Sequence, residues 1–246
     1  MQCAPQTPQS LLDVWDAGHA QGPDQWALTV LALAKPATSS DALAQLSIGQ
    51  RDAALLTWRS LLFGSKLGVV EQCPHCREQL ELDLDATELL LPAEVPTVAD
   101  FVLHAEGFIV QFCLPNSLDL IAASGCADVA AAQTLLLGRC VTEAHRGDEK
   151  IAGAALPPEV VSALSDRMIE LDPQADLRLS LRCAACRHDW KVVFDILPFL
   201  WCELNAWALH VLHDVHRLAS TYGWAETEIL AMSAPRRRRY LAMLGA

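Results

Sequence analysis

Hydrophobic positions along the chain follow two rhythms. In "IGQRDAALLTWRSLLF", Ala54, Leu55, Trp58, Leu61 and Leu62 fall at i, i+1, i+4, i+7 and i+8, which lines one face of a helix. Ser47 stands ready to cap that helix and Gly64 to stop it. Upstream, "LLDVWDAGHA" with Ser10 as cap, "PDQWALTVLALA" with Pro23 in its first turn, and a short segment from Asp41 to Leu46 predict three more helices. From Gly68 the period drops to two: Leu80, Leu82 and Leu84 alternate with Glu81 and Asp83, a strand with one wet face. "FVLHAEGFIVQFCL" predicts two strands turning at Glu106-Gly107 and ended by Pro115. Asn116 and Ser117 open a stretch expected to be helical from Leu118 to His145, broken by Gly147-Asp148, and Pro157-Pro158 starts the helix "PEVVSALSDRMIELD". "ADLRLSLRC" and "WKVVFDI" read as strands. Pro198 opens a long helix with an apolar stripe of Phe199, Leu200, Leu204, Trp207, Val211, Leu212, Val215 and Leu218. After the turn Tyr222-Gly223-Trp224, "AETEILAM" and "APRRRRYLAML", the latter capped by Ser233, close the chain as short helices.

One internal echo stands out against this pattern. "CPHCREQLELDLD" and "CAACRHDWKVVFD" each carry Cys-x-x-Cys-Arg, two polar residues and an extended apolar-rich segment ending in Asp. A Cys-x-x-Cys turn lets two thiolates reach one ion, and two such knuckles complete a tetrahedral sulfur shell. Cys73, Cys76, Cys183 and Cys186 are therefore the predicted ligands of one structural zinc ion. About a hundred residues separate the knuckles, where ordinary ribbons have about 15 to 20. The hairpin and helices between them would form an insertion, and the entropy of closing a loop grows only slowly with its length.

Cys-Pro-His-Cys is also the active-site tetrapeptide of oxidising disulfide oxidoreductases. That chemistry needs its first cysteine at a helix N-terminus, where dipole and free N–H groups lower the thiol pKa. Here a strand-like segment follows Cys76, Glu71, Glu78 and Glu81 would raise that pKa, and the second knuckle has no role. Four thiolates leave no coordination position for water, and His-Glu-x-x-His is absent, so the expected zinc is structural rather than catalytic. His75 and His188 stand where they could donate hydrogen bonds to sulfur.

Composition narrows the field. Hydrophobic residues make up 52% and charged residues 20%, with mean hydropathy +0.22, which describes a folded globular chain. The net charge of −12 gives a nucleic acid no overall attraction. Neither a signal peptide nor an apolar run long enough for a membrane span is read, so the expected address is the bacterial cytosol. Cys3, Cys113, Cys126, Cys140 and Cys202 lack metal spacing and are expected as buried apolar thiols. His210, His213 and His216 recur every third residue and fan around the helix rather than converge on an ion.

The order of these features resembles the baseplate hub assembly chaperone family of T4-type phages, as found in phage-like contractile injection clusters. The resemblance rests on "LLFGSKLGVVEQCPHC", "LPNSLDL", the knuckle "CAAC" followed by Trp, and the tail with Tyr222-Gly223-Trp224, Glu228-Ile229-Leu230 and Arg238-Arg239-Tyr240-Leu241. It implies a non-enzymatic component or assembly chaperone of the hub or baseplate. Trp224 and Tyr240 would anchor hub or baseplate proteins, with Arg236, Arg237, Arg238 and Arg239 as a salt-sensitive rim. No membrane or small-molecule substrate is expected. The alternatives are a zinc-ribbon nucleic-acid binder and a thiol-disulfide oxidoreductase. The expected fold is α+β and mostly helical. A helical cap spans residues 1–67, a split zinc-ribbon-like β core with a large insertion spans 68–197, and a C-terminal helical module spans 198–246.

Overall fold

The computed structural model describes residues 6–91 and 100–244. Helix α1 (Pro8–Gly18) is capped by Thr7, whose hydroxyl accepts from the Ser10 amide at 3.1 Å. Ser10 sits inside the helix and returns the favour, its Oγ accepting from the Thr7 amide at 3.1 Å; the expected cap is thus the third helical residue. Helix α2 (Pro23–Ala34) opens on Pro23, and α3 (Ser40–Ala44) is capped by Ser39. Helix α4 (Ile48–Phe63) begins with the Ser47–Gln50 capping box and stops at Gly64, whose φ of 90° favours glycine.

Strands β1 (Lys66–Gln72) and β2 (Gln79–Asp85) pair antiparallel, followed by the short α5 (Ala86–Leu89). Strands β3 (Phe101–Ala105) and β4 (Phe108–Phe112) turn through Glu106 at φ 51° and Gly107 at φ 77°, the consecutive left-handed residues of a tight hairpin. Helices α6 (Ser117–Ser124) and α7 (Val129–Cys140) follow, the second recapped by Asp128. The helix expected to run on to His145 ends at Cys140. Strand β5 (Val141–Arg146) replaces it, because Glu143 to Arg146 and β-branched Val141 pair with β4, Thr142 being the residue passed over at the register shift opposite Gln111/Phe112. Strand β6 (Glu149–Lys150) finishes a sheet of order β3-β4-β5-β6. Helix α8 (Pro158–Leu171) covers it: Phe108, Val110, Phe112, Val141 and Ala144 pack with Leu156, Val160 and Leu164. Strands β7 (Arg178–Arg182) and β8 (Asp189–Val193) form the last hairpin, and α9 (Ile196–Tyr222), α10 (Glu226–Ala231) and α11 (Ala234–Met243) end the chain.

Contacts group these elements into two compact units, Thr38–Ile196 in one, and the chain up to Ala37 with the chain from Leu197 in the other. In the latter, Leu12 of α1 packs with Ala208, Val211, Val215 and Leu218 of α9 and with Ile229 and Leu230 of α10. Trp15 donates its indole N–H to Asn205 at 2.9 Å there.

Within Thr38–Ile196, α4 buries Ala54, Leu55 and Trp58, while Leu61 is 64% exposed at the edge of the buried arc. Two arginines lie on the buried side. Arg59 donates to the carbonyls of Gly64 and Lys66 at 2.6 and 2.7 Å, tying the end of α4 to the start of β1. Arg51 pairs with Asp52 at 2.7 Å, yet burial pushes the Asp52 carboxyl up to about 6 against the pull of that guanidinium. Folded Asp52 therefore holds its proton more tightly than the unfolded chain does, and stability falls as pH rises from the unfolded value through about 6. Asp52→Asn is expected to remove this slope and to be more stable than the parent by about 1–2 kcal/mol above it, after allowing for the lost Arg51 attraction. Urea midpoints of both proteins at about pH 5 and about pH 7.5 check this, and an equal shift at both would contradict it.

Candidate metal centre

Each knuckle is the tip of a hairpin. The β1–β2 ladder runs from Lys66↔Asp85 to Gln72↔Gln79, and the β7–β8 ladder from Arg178↔Val193 to Arg182↔Asp189, so each Cys-x-x-Cys begins where pairing ends. The two tips share one backbone pattern. The Cys73 amide donates to Glu78 O and the Arg77 amide to Cys73 O, both at 2.9 Å; the Cys183 amide donates to His188 O at 2.9 Å and the Arg187 amide to Cys183 O at 3.0 Å. Arg77 and Arg187 both adopt the left-handed conformation, φ 64° and 61°, which reverses the chain after the second cysteine. The sequence echo is thus repeated in backbone geometry.

The structure brings all four predicted cysteines together, their sulfurs lying within 4.8 Å of one another. Cys73 Sγ and Cys186 Sγ are 3.7 Å apart, and Cys76 Sγ and Cys183 Sγ 3.5 Å. A disulfide requires about 2.0 Å. Zinc–sulfur bonds of about 2.3 Å in a tetrahedron place sulfurs about 3.8 Å apart, close to the separations found. Cys73 and Cys183 are buried, Cys186 half-buried and Cys76 exposed, so the cluster is sealed on one side and open on the other.

Electrostatics point the same way. The backbone N–H of Cys186 brings the Cys183 thiol down to about 7. At Cys76 the N–H of Glu78 pulls downward, but the sulfurs of Cys186, Cys183 and Cys73 and desolvation outweigh it, and the thiol stands at about 12. A cation bound among these sulfurs would favour their thiolate forms. The donor set and its spacing therefore fit a metal ion.

His75 and His188 stack on one another with ring centroids 5.5 Å apart, and His188 stacks on Trp190 at 6.1 Å. The rings meet face to face between the two turns, and among the described residues neither donates to a sulfur. His210, His213 and His216 are exposed. Cys140 is buried, Cys113 and Cys126 are half-buried, and Cys202 is exposed rather than buried; Cys3 lies outside the described residues.

The residues expected to meet a partner divide in two. Tyr222 stacks on Trp224 at 4.5 Å, Tyr240 meets Trp224 edge-on at 4.9 Å, and both Trp224 and Tyr240 are half-buried against the α9–α10 core. Arg236 lies over the Tyr240 ring at 5.8 Å and, like Arg238 and Arg239, is exposed. Arg237 is buried and donates to Met232 O at 3.0 Å, holding α11 against the end of α10.

Among the described residues, helices, three small antiparallel sheets and a four-cysteine cluster able to hold a metal ion define a mixed α/β protein. Residues 16–201 match the model of the T4 bacteriophage base plate protein family, and the chain belongs to that family. The match contains both knuckles and the whole region between them, and it ends within α9. No curated protein and no solved structure matches the chain significantly. Among the described residues no helix is long and apolar enough to cross a membrane.

Proposed function

We propose that this base plate protein is a non-enzymatic component or assembly chaperone of the baseplate hub of a contractile, phage tail-like particle, stapled by one structural zinc ion. The reading is carried by the convergence of four sulfurs, from two turns about a hundred residues apart, inside the stretch that matches the base plate family. Zinc is favoured by an all-sulfur, tetrahedrally spaced donor set, and four thiolates leave it no position for a reacting water. The two hairpins then act as halves of a split ribbon, and the β3–β6 sheet with α6, α7 and α8 is the insertion they hold.

Partners are proposed to be hub or baseplate proteins, met in the bacterial cytosol before or during assembly. Their docking surface is the C-terminal module, where exposed Arg236, Arg238 and Arg239 border the half-buried Trp224 and Tyr240. Arg237 supports that surface from inside by fixing α11. Arg238→Glu with Arg239→Glu is expected to weaken binding to purified hub proteins about tenfold and to flatten its salt dependence, as measured by calorimetry. Unchanged affinity would remove this surface from the reading. Tight binding to nucleic acid in a low-salt gel shift would replace the hub with a different partner.

A further inference from the structure

The two hairpins differ in charge although they share a fold. Strands alternate their side chains between faces, so each two-stranded sheet has one covered face and one open face. On β1–β2 the covered face carries buried Leu67 and Val69; the open face carries exposed Val70, cross-strand from Glu81, with Asp83 beside it. On β7–β8 the covered face carries buried Leu181; the open face carries exposed Arg178, Arg182 and Lys191 with one acid, Asp189, cross-strand from Arg182, and Val193 next along β8. Val70 is 63% and Val193 58% exposed, unusual for valine on a sheet. Glu81, Asp83 and Lys191 make no ion pair among the described residues, and Arg182 is held only loosely, 3.8 Å from Asp189.

We infer that these faces form a self-association contact, the acidic β1–β2 face of one copy meeting the basic β7–β8 face of another. Each face presents an exposed valine beside charged side chains, and with Lys66 counted on the first and Asp189 on the second the faces still carry opposite net charge, so juxtaposition removes both valines from water while pairing Glu81 and Asp83 with Arg182 and Lys191. Both members of the complementary pair are on one chain, and both stay open to solvent within it, so a second copy satisfies them. A nucleic acid fits less well, because the acidic hairpin joins the basic one at the sulfur cluster. Faces this small place the contact at the weak end of protein interfaces, where many copies held in one particle would reinforce it. The inference does not depend on the identity of the hub partner.

Sedimentation of the full zinc-loaded chain tests it. The parent is expected to self-associate at low salt and to dissociate as salt screens the contact. Glu81→Lys with Asp83→Lys, and separately Arg182→Glu with Lys191→Glu, are each expected to weaken association about 10- to 100-fold. An equimolar mixture of the two reversed proteins restores it, since each then offers the other two complementary faces. Zinc content and far-ultraviolet circular dichroism identify a variant that has failed to fold; the neutral pairs Glu81→Gln with Asp83→Asn and Arg182→Gln with Lys191→Gln then carry the test with smaller losses. A parent that stays monomeric at low salt, association indifferent to the substitutions, or a mixture that fails to reassociate would each overturn the inference. Nucleic-acid binding abolished by the Arg182 and Lys191 reversal would reassign the basic face.

Discussion

Cys183→Ser is expected to lower bound zinc from one ion per chain to near zero and to destabilise the Thr38–Ile196 unit by several kcal/mol. Cys183 is 1% exposed and sits 3.5 Å from Cys76 Sγ, so its loss breaks the shell on its sealed side. Structural zinc in small domains supplies on the order of 10 kcal/mol to folding. The expected loss is smaller, because the α8-covered sheet has an apolar core of its own. The hairpins are less protected: they belong to separate two-stranded sheets, and such sheets are marginal alone in water. Cys202→Ser, on the exposed side of α9, serves as a control that keeps both zinc and stability. Elemental analysis and thermal melts with and without a chelator read the outcome. A Cys183→Ser protein that retains a full equivalent of zinc would show that the cluster is not the binding site.

Local signals survived the step from sequence to structure because the residues that make them act on their own neighbours. Ser47 reaches the Gln50 amide, Gly64 takes the φ that ends α4, and Glu106-Gly107 turns its hairpin without help from elsewhere. The knuckles were legible across their long separation because the same short pattern occurs twice, each copy closing its own turn with Arg77 or Arg187 left-handed. Strand β5 was not legible. The Ala- and Leu-rich α7 carries Gly138 inside its last turn rather than after it, no proline follows, and what converts the chain to strand at Val141 is the distant partner β4. Nor did hydropathy anticipate Arg59 and Arg237. Both are buried because they satisfy backbone carbonyls near helix ends, a requirement set by three-dimensional chain paths rather than by period.

Gly49→Ala is expected to destabilise the protein by on the order of 3 kcal/mol, although alanine is about 1 kcal/mol better than glycine inside a helix. Gly49 is the second residue of α4, and its amide donates to Asp172 Oδ2 at 2.8 Å, placing a buried carboxylate at the positive end of that helix. Only a residue without a side chain permits this approach. A Cβ on Gly49 would lie 1.9 Å from Asp172 Oδ1 and 2.9 Å from the Ala175 amide nitrogen. The carboxylate would have to leave, losing its bond to the Gly49 amide in a place that water does not reach. Asp172→Ala removes the same bond without a clash, and is expected to cost about 1–3 kcal/mol. Because both substitutions break one contact, Gly49→Ala with Asp172→Ala should fall short of their sum by about 1 kcal/mol or more. It should still be less stable than Asp172→Ala alone, since the crowding against Ala175 persists. Urea unfolding of the four proteins closes the cycle. A Gly49→Ala protein as stable as the parent, or strict additivity, would mean that α4 and Asp172 do not meet as closely as their hydrogen bond requires.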